Sequence, residues 1–144
     1  MQIKIQKLTS TAKTPTRAYK TDSGLDLYID HDLVLQPLQR HLASTGIAVQ
    51  LHEGTSEYTY ECAIRPKSGL SNKGLYVALG TIDNSYTGEL KIVVINLSNE
   101  IMEFKQGDKI AQLVVQKVYL PEVAEIEELE VRDRAANGFG SSGK

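Results

Sequence analysis

Along this chain the apolar side chains come in short, often β-branched runs broken by polar turns, and few of them fall at helical spacing. Period-two alternation predicts strands near 2–8, 25–29, 32–36, 46–52, 58–65, 75–79, 89–98 and 109–120. Clusters of Gly, Asn, Asp and Ser at 21–24, 53–56, 83–85 and 106–108 punctuate them, because those residues favour backbone turns. Only two stretches leave room for a helix. One is a turn or two starting near Ser68-Gly69-Leu70; the other is the acidic stretch 121–131, whose Val123, Ile126 and Leu129 fit a short helix or an irregular strand equally well. This many short strands predicts an all-β fold: a sandwich, jelly roll or distorted barrel with one short helix.

The run from Leu90 to Leu97 is apolar on both faces. It reads either as a strand that also packs against another subunit or as the central strand of a thick sandwich. A length of 144 residues fits one domain with one core, and neither an internal repeat nor a linker divides it. We divide the chain into a β domain over 1–131 and a tail over 132–144. The tail holds two arginines, the lone aromatic Phe139 between two glycines, and the pair Ser141-Ser142. It cannot bury enough apolar surface to fold alone. It reads either as a frayed end or as a flap that closes over a ligand carrying a flat ring and phosphates.

Composition changes this picture little: 41% hydrophobic and 24% charged residues are ordinary for a globular chain. A net charge of −2 gives no general reason to expect nucleic-acid or membrane binding, so any phosphate site must be built locally. The single cysteine, Cys62, excludes an intrachain disulfide and reads as a small core residue. The N-terminal Met-Gln-Ile-Lys-Ile lacks the apolar run of a signal peptide, and no run reaches transmembrane length. An intracellular, cytoplasmic protein is expected.

Four further clusters carry candidate chemistry. In Asp22-Ser23-Gly24-Leu25-Asp26-Leu27, alternation sets Asp26 on the face opposite the two leucines, as an exposed turn residue or as a carboxylate that holds a hydrated Mg²⁺. In Arg65-Pro66-Lys67-Ser68-Gly69, two cations and a hydroxyl adjoin a helix start; this suits an anion, although Ser68 also suits a simple N-cap. The segment Gly80 to Leu90 reads as a β-hairpin with a polar tip, where Asp83 is a general-base candidate and Tyr86 offers a flat face, or as a plain turn. In Gly107-Asp108-Lys109-Ile110-Ala111-Gln112, the amide of Gln112 interrupts an apolar strand and either donates to a phosphate or points outward. His31, His41 and His52 lack metal-ligand spacing, and no Ser/His/Asp order suggests a nucleophilic triad.

Taken in order, these four clusters and Arg134 through Gly143 resemble the five motifs of trimeric dUTPases, over about residues 18–143. The resemblance implies a jelly-roll homotrimer that hydrolyses dUTP to dUMP and pyrophosphate with Mg²⁺, limiting uracil incorporation into DNA and supplying dUMP for thymidylate synthesis. Motifs one, two and four would come from one subunit, motif three from a second and the tail from a third. By the same resemblance Asp83 positions the attacking water, and Tyr86 packs under the deoxyribose. Backbone groups around Asn84 pair with uracil. Lys67, Ser68, Gly69 and Gln112 contact the phosphates, and Asp26 holds waters of the metal shell. Arg134, Ser141 and Ser142 grip the terminal phosphate, with Gly140 beside Phe139 as it stacks on the uracil.

Three departures stand out. Lys67 replaces an arginine frequent in the family and loses its bidentate fork, with Arg65 two positions away as a partial substitute. Ser85 stands where an acidic residue is frequent, and Ala135-Ala136-Asn137 is less glycine-rich than usual. A deoxycytidine triphosphate deaminase on the same fold is argued against by the Phe-Gly-Ser-Ser-Gly tail and by Asp83. A regulatory binding protein would show an inserted segment or eroded motifs, and this chain has neither.

Overall fold

The computed structural model describes residues 2–133. The tail positions Arg134, Phe139, Gly140, Ser141 and Ser142 lie outside the described residues. Ten strands and one short helix follow one another: β1 (Lys4–Lys7), β2 (Leu25–Tyr28), β3 (Leu33–Leu35), β4 (Arg40–Gln50), β5 (Tyr58–Arg65), α1 (Ser68–Ser71), β6 (Leu75–Val77), β7 (Gly80–Ile82), β8 (Glu89–Asn96), β9 (Met102–Phe104) and β10 (Lys109–Tyr119). They form two four-stranded sheets, in the orders β1-β4-β8-β6 and β2-β10-β5-β7, and a two-stranded sheet of β3 and β9. All the strand pairings are antiparallel. One core cluster draws on both large sheets, with Leu90, Ile92 and Val94 from one and Leu27, Ile64 and Leu113 from the other. The fold is the expected all-β jelly roll with one short helix.

Alternation places the strands in register with that core. Along β8, Leu90, Ile92, Val94 and Asn96 are buried while Lys91, Val93 and Ile95 face outward. Among the described residues that outward face stays open: Val93 lies opposite Leu42, which is 53% exposed, and Ile95 lies opposite Tyr76, which is 47% exposed. The thick-sandwich reading of this strand therefore fails. Cys62 is a core residue as expected, and burial, with Glu61 nearby, pushes its thiol up to about 11.

Four local expectations change. β4 begins at Arg40, not near 46, because a bulge at 44–48 hides its first half from the alternation. Gly46 sits there at φ +67°, where an added Cβ would lie 2.9 Å from that of Ala12. β7 and β9, three residues each, are too short to leave a periodic signal. The segment 80–90 is not a hairpin: β7 pairs with β5, β8 pairs with β4 and β6, and loop 83–88 crosses between sheets. The stretch 121–131 forms neither helix nor strand, and its apolar side chains are exposed.

Candidate functional site

Three of the sequence clusters meet at one end of the β2–β10–β5 layer. Gln112 pairs in register with Asp26 on one side and with Arg65 on the other. The carboxylate of Asp26 is only 7% exposed, so the reading of an exposed turn residue fails. Lys67 Nζ meets one of its oxygens, and Lys109 Nζ lies 2.8 Å from the other. Burial alone would raise the carboxyl's pKa. Hydrogen bonds from Lys109 and Lys67, with their charges, outweigh that and hold it below the ordinary carboxylate range. Lys109 is in turn held above the usual lysine value by its hydrogen bond to Asp26.

The second cluster is arranged around this pair. Lys67 occupies the cap position of α1 with extended backbone and makes no side-chain cap hydrogen bond, so Ser68 is the first helical residue and not the N-cap. The Ser68 hydroxyl and Gly69 are exposed, and a Cβ at Gly69 would meet open space. Gln112 donates from Nε2 to the Pro66 carbonyl at 2.9 Å, which ties β10 to the α1 approach and, among the described residues, leaves its second amide hydrogen without a partner. A Cβ at Gly24 would run into the Gln112 amide, so the glycine is what lets that side chain lie across the first cluster. Arg65 does not stand in for the missing guanidinium at 67: it donates to Gln116 Oε1 at 2.8 Å along β10.

Sequence reasoning missed Lys109. Its signal was the Gly107-Asp108 turn, which fixes where β10 starts and aims that first side chain at Asp26. The same lysine lines a cavity of about 670 Å³ together with Lys13, Tyr28, Leu70, Lys73 and Gly107. Its three lysines line it beside the carboxylates of Glu103 and Asp108, with Lys13 Nζ 5.4 Å and Lys109 Nζ 5.9 Å from the Tyr28 ring centroid.

Asp83 and Tyr86 belong to a different cavity, of about 330 Å³, which they line with Leu42, Ile82, Glu89 and Lys91. The Tyr86 N–H donates to the Asp83 carbonyl at 3.0 Å, closing a turn that exposes the Asp83 side chain. The Tyr86 hydroxyl donates to the Glu89 carbonyl at 3.0 Å, and its ring lies over Gly88, where an added Cβ would collide with it. Asn84 donates its amide to the His52 carbonyl at 2.8 Å, so its side chain holds the loop. Among the described residues the Asp83 carboxylate has no hydrogen-bond or ion-pair partner.

The register separates the two regions. Cys62 lies opposite Ile82, which puts Asp83 one step further, level with Glu61, whereas Gln112 is level with Arg65. Spacings of about 4.8 Å between strands and about 3.4 Å along them place Asp83 about 17 Å from Gln112 within one chain. No single phosphorus atom reaches both.

Fold and site together define a small jelly-roll protein with a preformed lysine–carboxylate cluster and a separate, open carboxylate. The family model for dUTPase matches residues 10–143. A deoxyuridine 5'-triphosphate nucleotidohydrolase of Nautilia profundicola is 42% identical, with all of both chains covered. The cowpox virus protein of the same name is 38% identical over 98% of this chain and 92% of its own. Among solved structures, a Staphylococcus bacteriophage 80alpha dUTPase with dUpNHpp superposes with a TM-score of 0.91 at 29% identity, over 99% of each chain. A dUTPase variant from phage phi11 of S. aureus, described as coordinating a structural Mg(II) ion, has a TM-score of 0.81 at 28% identity, over 91% of this chain and all of that one. This chain belongs to the dUTPase family.

Proposed function

We propose that the chain hydrolyses dUTP to dUMP and pyrophosphate, as a dUTP diphosphatase in which water attacks the α-phosphorus. That reaction limits uracil incorporation into DNA and supplies dUMP for thymidylate synthesis. The observation that carries this reading is the convergence of Asp26, Lys67, Ser68 and Gln112, from three separate stretches of a dUTPase-family chain, on one cationic edge.

The chemistry follows from the two regions. Asp83, free to bond water, orients a water and takes its proton. Tyr86 packs under the deoxyribose and leaves no room for a 2′-hydroxyl, while the backbone of loop 83–88 at Asn84 pairs with uracil. Cytosine would leave those donors and acceptors unpaired, the mismatch that a polar site rejects most strongly. The Ser68 hydroxyl, the Gly69 N–H and the free amide hydrogen of Gln112 donate to the phosphate chain, with Lys67 and Lys109 supplying charge. In the tail, Arg134, Ser141 and Ser142 take the terminal phosphate and Phe139 stacks on the uracil, with Gly140 giving close approach.

Mg²⁺ fits this site as an ion carried by the phosphates. The described residues hold no group of three metal-ligating side chains, and Asp26 already meets two ammonium groups, so it offers hydrogen bonds to a hydrated ion and not a dedicated cage. When bound, the ion would neutralise phosphate charge. The separation of Asp83 from Gln112 supports a homotrimer with shared sites, in which a second copy brings its loop 83–88 to the cluster and a third brings its tail. The open outward face of β8 supports subunit packing. None of the described helices is long and apolar enough to cross a membrane, and a cytoplasmic location is part of the proposal.

A substrate panel tests the reading. With Mg²⁺, pyrophosphate release is expected from dUTP and at most marginally from dCTP, dTTP or UTP; equal turnover of dCTP would overturn it. Sedimentation of the same protein should give a trimer, and a fully active monomer would remove the shared-site arrangement.

A further inference from the structure

Away from every residue assigned to dUTP, one pair of side chains has the geometry of a ligand set. His31 lies in the turn between β2 and β3, and His41 is the second residue of β4. Their Nε2 atoms are 3.3 Å apart, while the ring centroids are 5.5 Å apart and the ring planes are inclined at 54°. Since the nitrogens are much closer than the centroids, the Nε2 edges face each other. Both rings are half-buried.

Two neutral imidazoles at this distance can share one N–H···N hydrogen bond. The same distance is also the edge of a zinc tetrahedron: nitrogens about 2.05 Å from the ion and about 109° apart lie about 3.3 Å from each other. A square-planar pair at 90° would need about 2.9 Å at the same bond length. The neighbouring carboxylates are committed elsewhere. Asp32 accepts from Lys105 Nζ at 3.0 Å and from the Gln106 N–H at 2.9 Å. Asp30 accepts from Thr9 Oγ1 at 2.5 Å and from Gln106 Nε2 at 3.4 Å.

We infer that His31 and His41 form a two-histidine site for a tetrahedral transition-metal ion of the zinc class, with water completing the coordination. Nitrogen ligands select such an ion over Mg²⁺, which wants oxygen. The site is independent of the proposed reaction. On β4, alternation sets His41 off the outward face that carries Leu42, on the side of Ala43 and Val94, and its ring is only partly buried there. A bound ion would tie the turn at His31 to β4. That turn also holds the one ahead of β10, through Gly107 N–H to the Ile29 carbonyl at 2.7 Å and Ile29 N–H to the Asp108 carbonyl at 3.0 Å.

Calorimetric titration of the tag-free protein with Zn²⁺, in excess Mg²⁺ at about pH 7.5, tests the site. One ion per chain is expected. His31→Ala and His41→Ala should each weaken binding at least about tenfold through the loss of one of two ligands, and His52→Ala should leave it unchanged. Zn²⁺ should also raise the melting temperature of the unmodified protein, but of neither variant, by a few degrees. If the alanine variants fold poorly, His31→Gln and His41→Gln keep a polar group and serve instead. Absence of binding at millimolar Zn²⁺, binding indifferent to both substitutions, or equal loss in His52→Ala would each overturn the inference.

Discussion

Asp26 is 7% exposed and each of its carboxylate oxygens meets a lysine, whereas Asp83, at the far edge of the same sheet, is exposed and its carboxylate bonds nothing among the described residues. The contrast follows from the work proposed for each. Groups that bind phosphate act best when the fold has already fixed them, because rigid donors need no reorganisation as charge develops. A general base must instead reach water and receive its proton, so its open carboxylate is a requirement and not a defect. Within one chain the two regions lie about 17 Å apart by strand spacing. On the proposed reading, the chain therefore holds both parts of a site but not the whole of one.

The sharpest way to break this comparison is Asp83→Asn. It keeps shape and removes the base, so kcat should fall about 10²–10⁴-fold. Binding of a non-hydrolysable dUTP analogue should persist, and stability should move by no more than about 0.5 kcal/mol, as for an exposed residue. Retained turnover in a pyrophosphate-release assay would strip Asp83 of its role. Asp26→Asn should show the opposite profile. It leaves Lys67 and Lys109 without their anion, at side-chain exposures of 31% and 44%, so solvent tempers the cost. A loss of about 1–3 kcal/mol in urea unfolding is expected, with turnover falling as well. If Asp26→Asn unfolds no more easily than Asp83→Asn, the prepared cluster is not structural.

A smaller effect sharpens the picture of how the cluster is built. An alanine Cβ at Gly24 would occupy the space of the Gln112 amide, which must then swing away from the Pro66 carbonyl. Loss of one donor to a charged phosphate oxygen should lower kcat/KM about tenfold or more with the fold retained. Gly24→Ala with unchanged kcat/KM would show that Gln112 acts elsewhere.

How much of this could be read from the chain follows from where each signal resides. β5 and β10 stood out because their apolar, aromatic and β-branched runs are long, and β5 runs from Tyr58 to Arg65 as expected. Short β7 carried no such signal, and its pairing with β5 depends on a strand distant in sequence, so the crossover at loop 83–88 looked like a hairpin. Asp26 was legible as a candidate but not as a buried one. Its face is covered only when Lys67 ahead of α1 and Lys109 on β10 arrive, and alternation along β2 says nothing about either. The motif order brought Asp26, Lys67 and Gln112 forward as candidates, while the ion pairs around Asp26 needed the fold.

The smallest expected effect concerns acid. The folded-state pKa of Asp26 is lowered, so its contribution to stability is fully present above the ordinary value of 3.8 and is lost as pH falls through and below it. Asp32, exposed and also held low, through the Gln106 backbone N–H and Lys105, adds a loss in the same direction. The Asp26 part is isolated by difference: urea unfolding of the unmodified protein and of Asp26→Asn at pH values on either side of that range. The gap between them should be widest near neutral pH and should narrow towards pH 3, because protonated Asp26 and asparagine are both neutral. At the alkaline end the same pair weakens as Lys109, held high by Asp26, finally loses its proton. A gap that stayed constant through the acid range would mean that the Asp26 carboxylate does not depend on its lysines for its charge, and the contrast with Asp83 would then rest on burial alone.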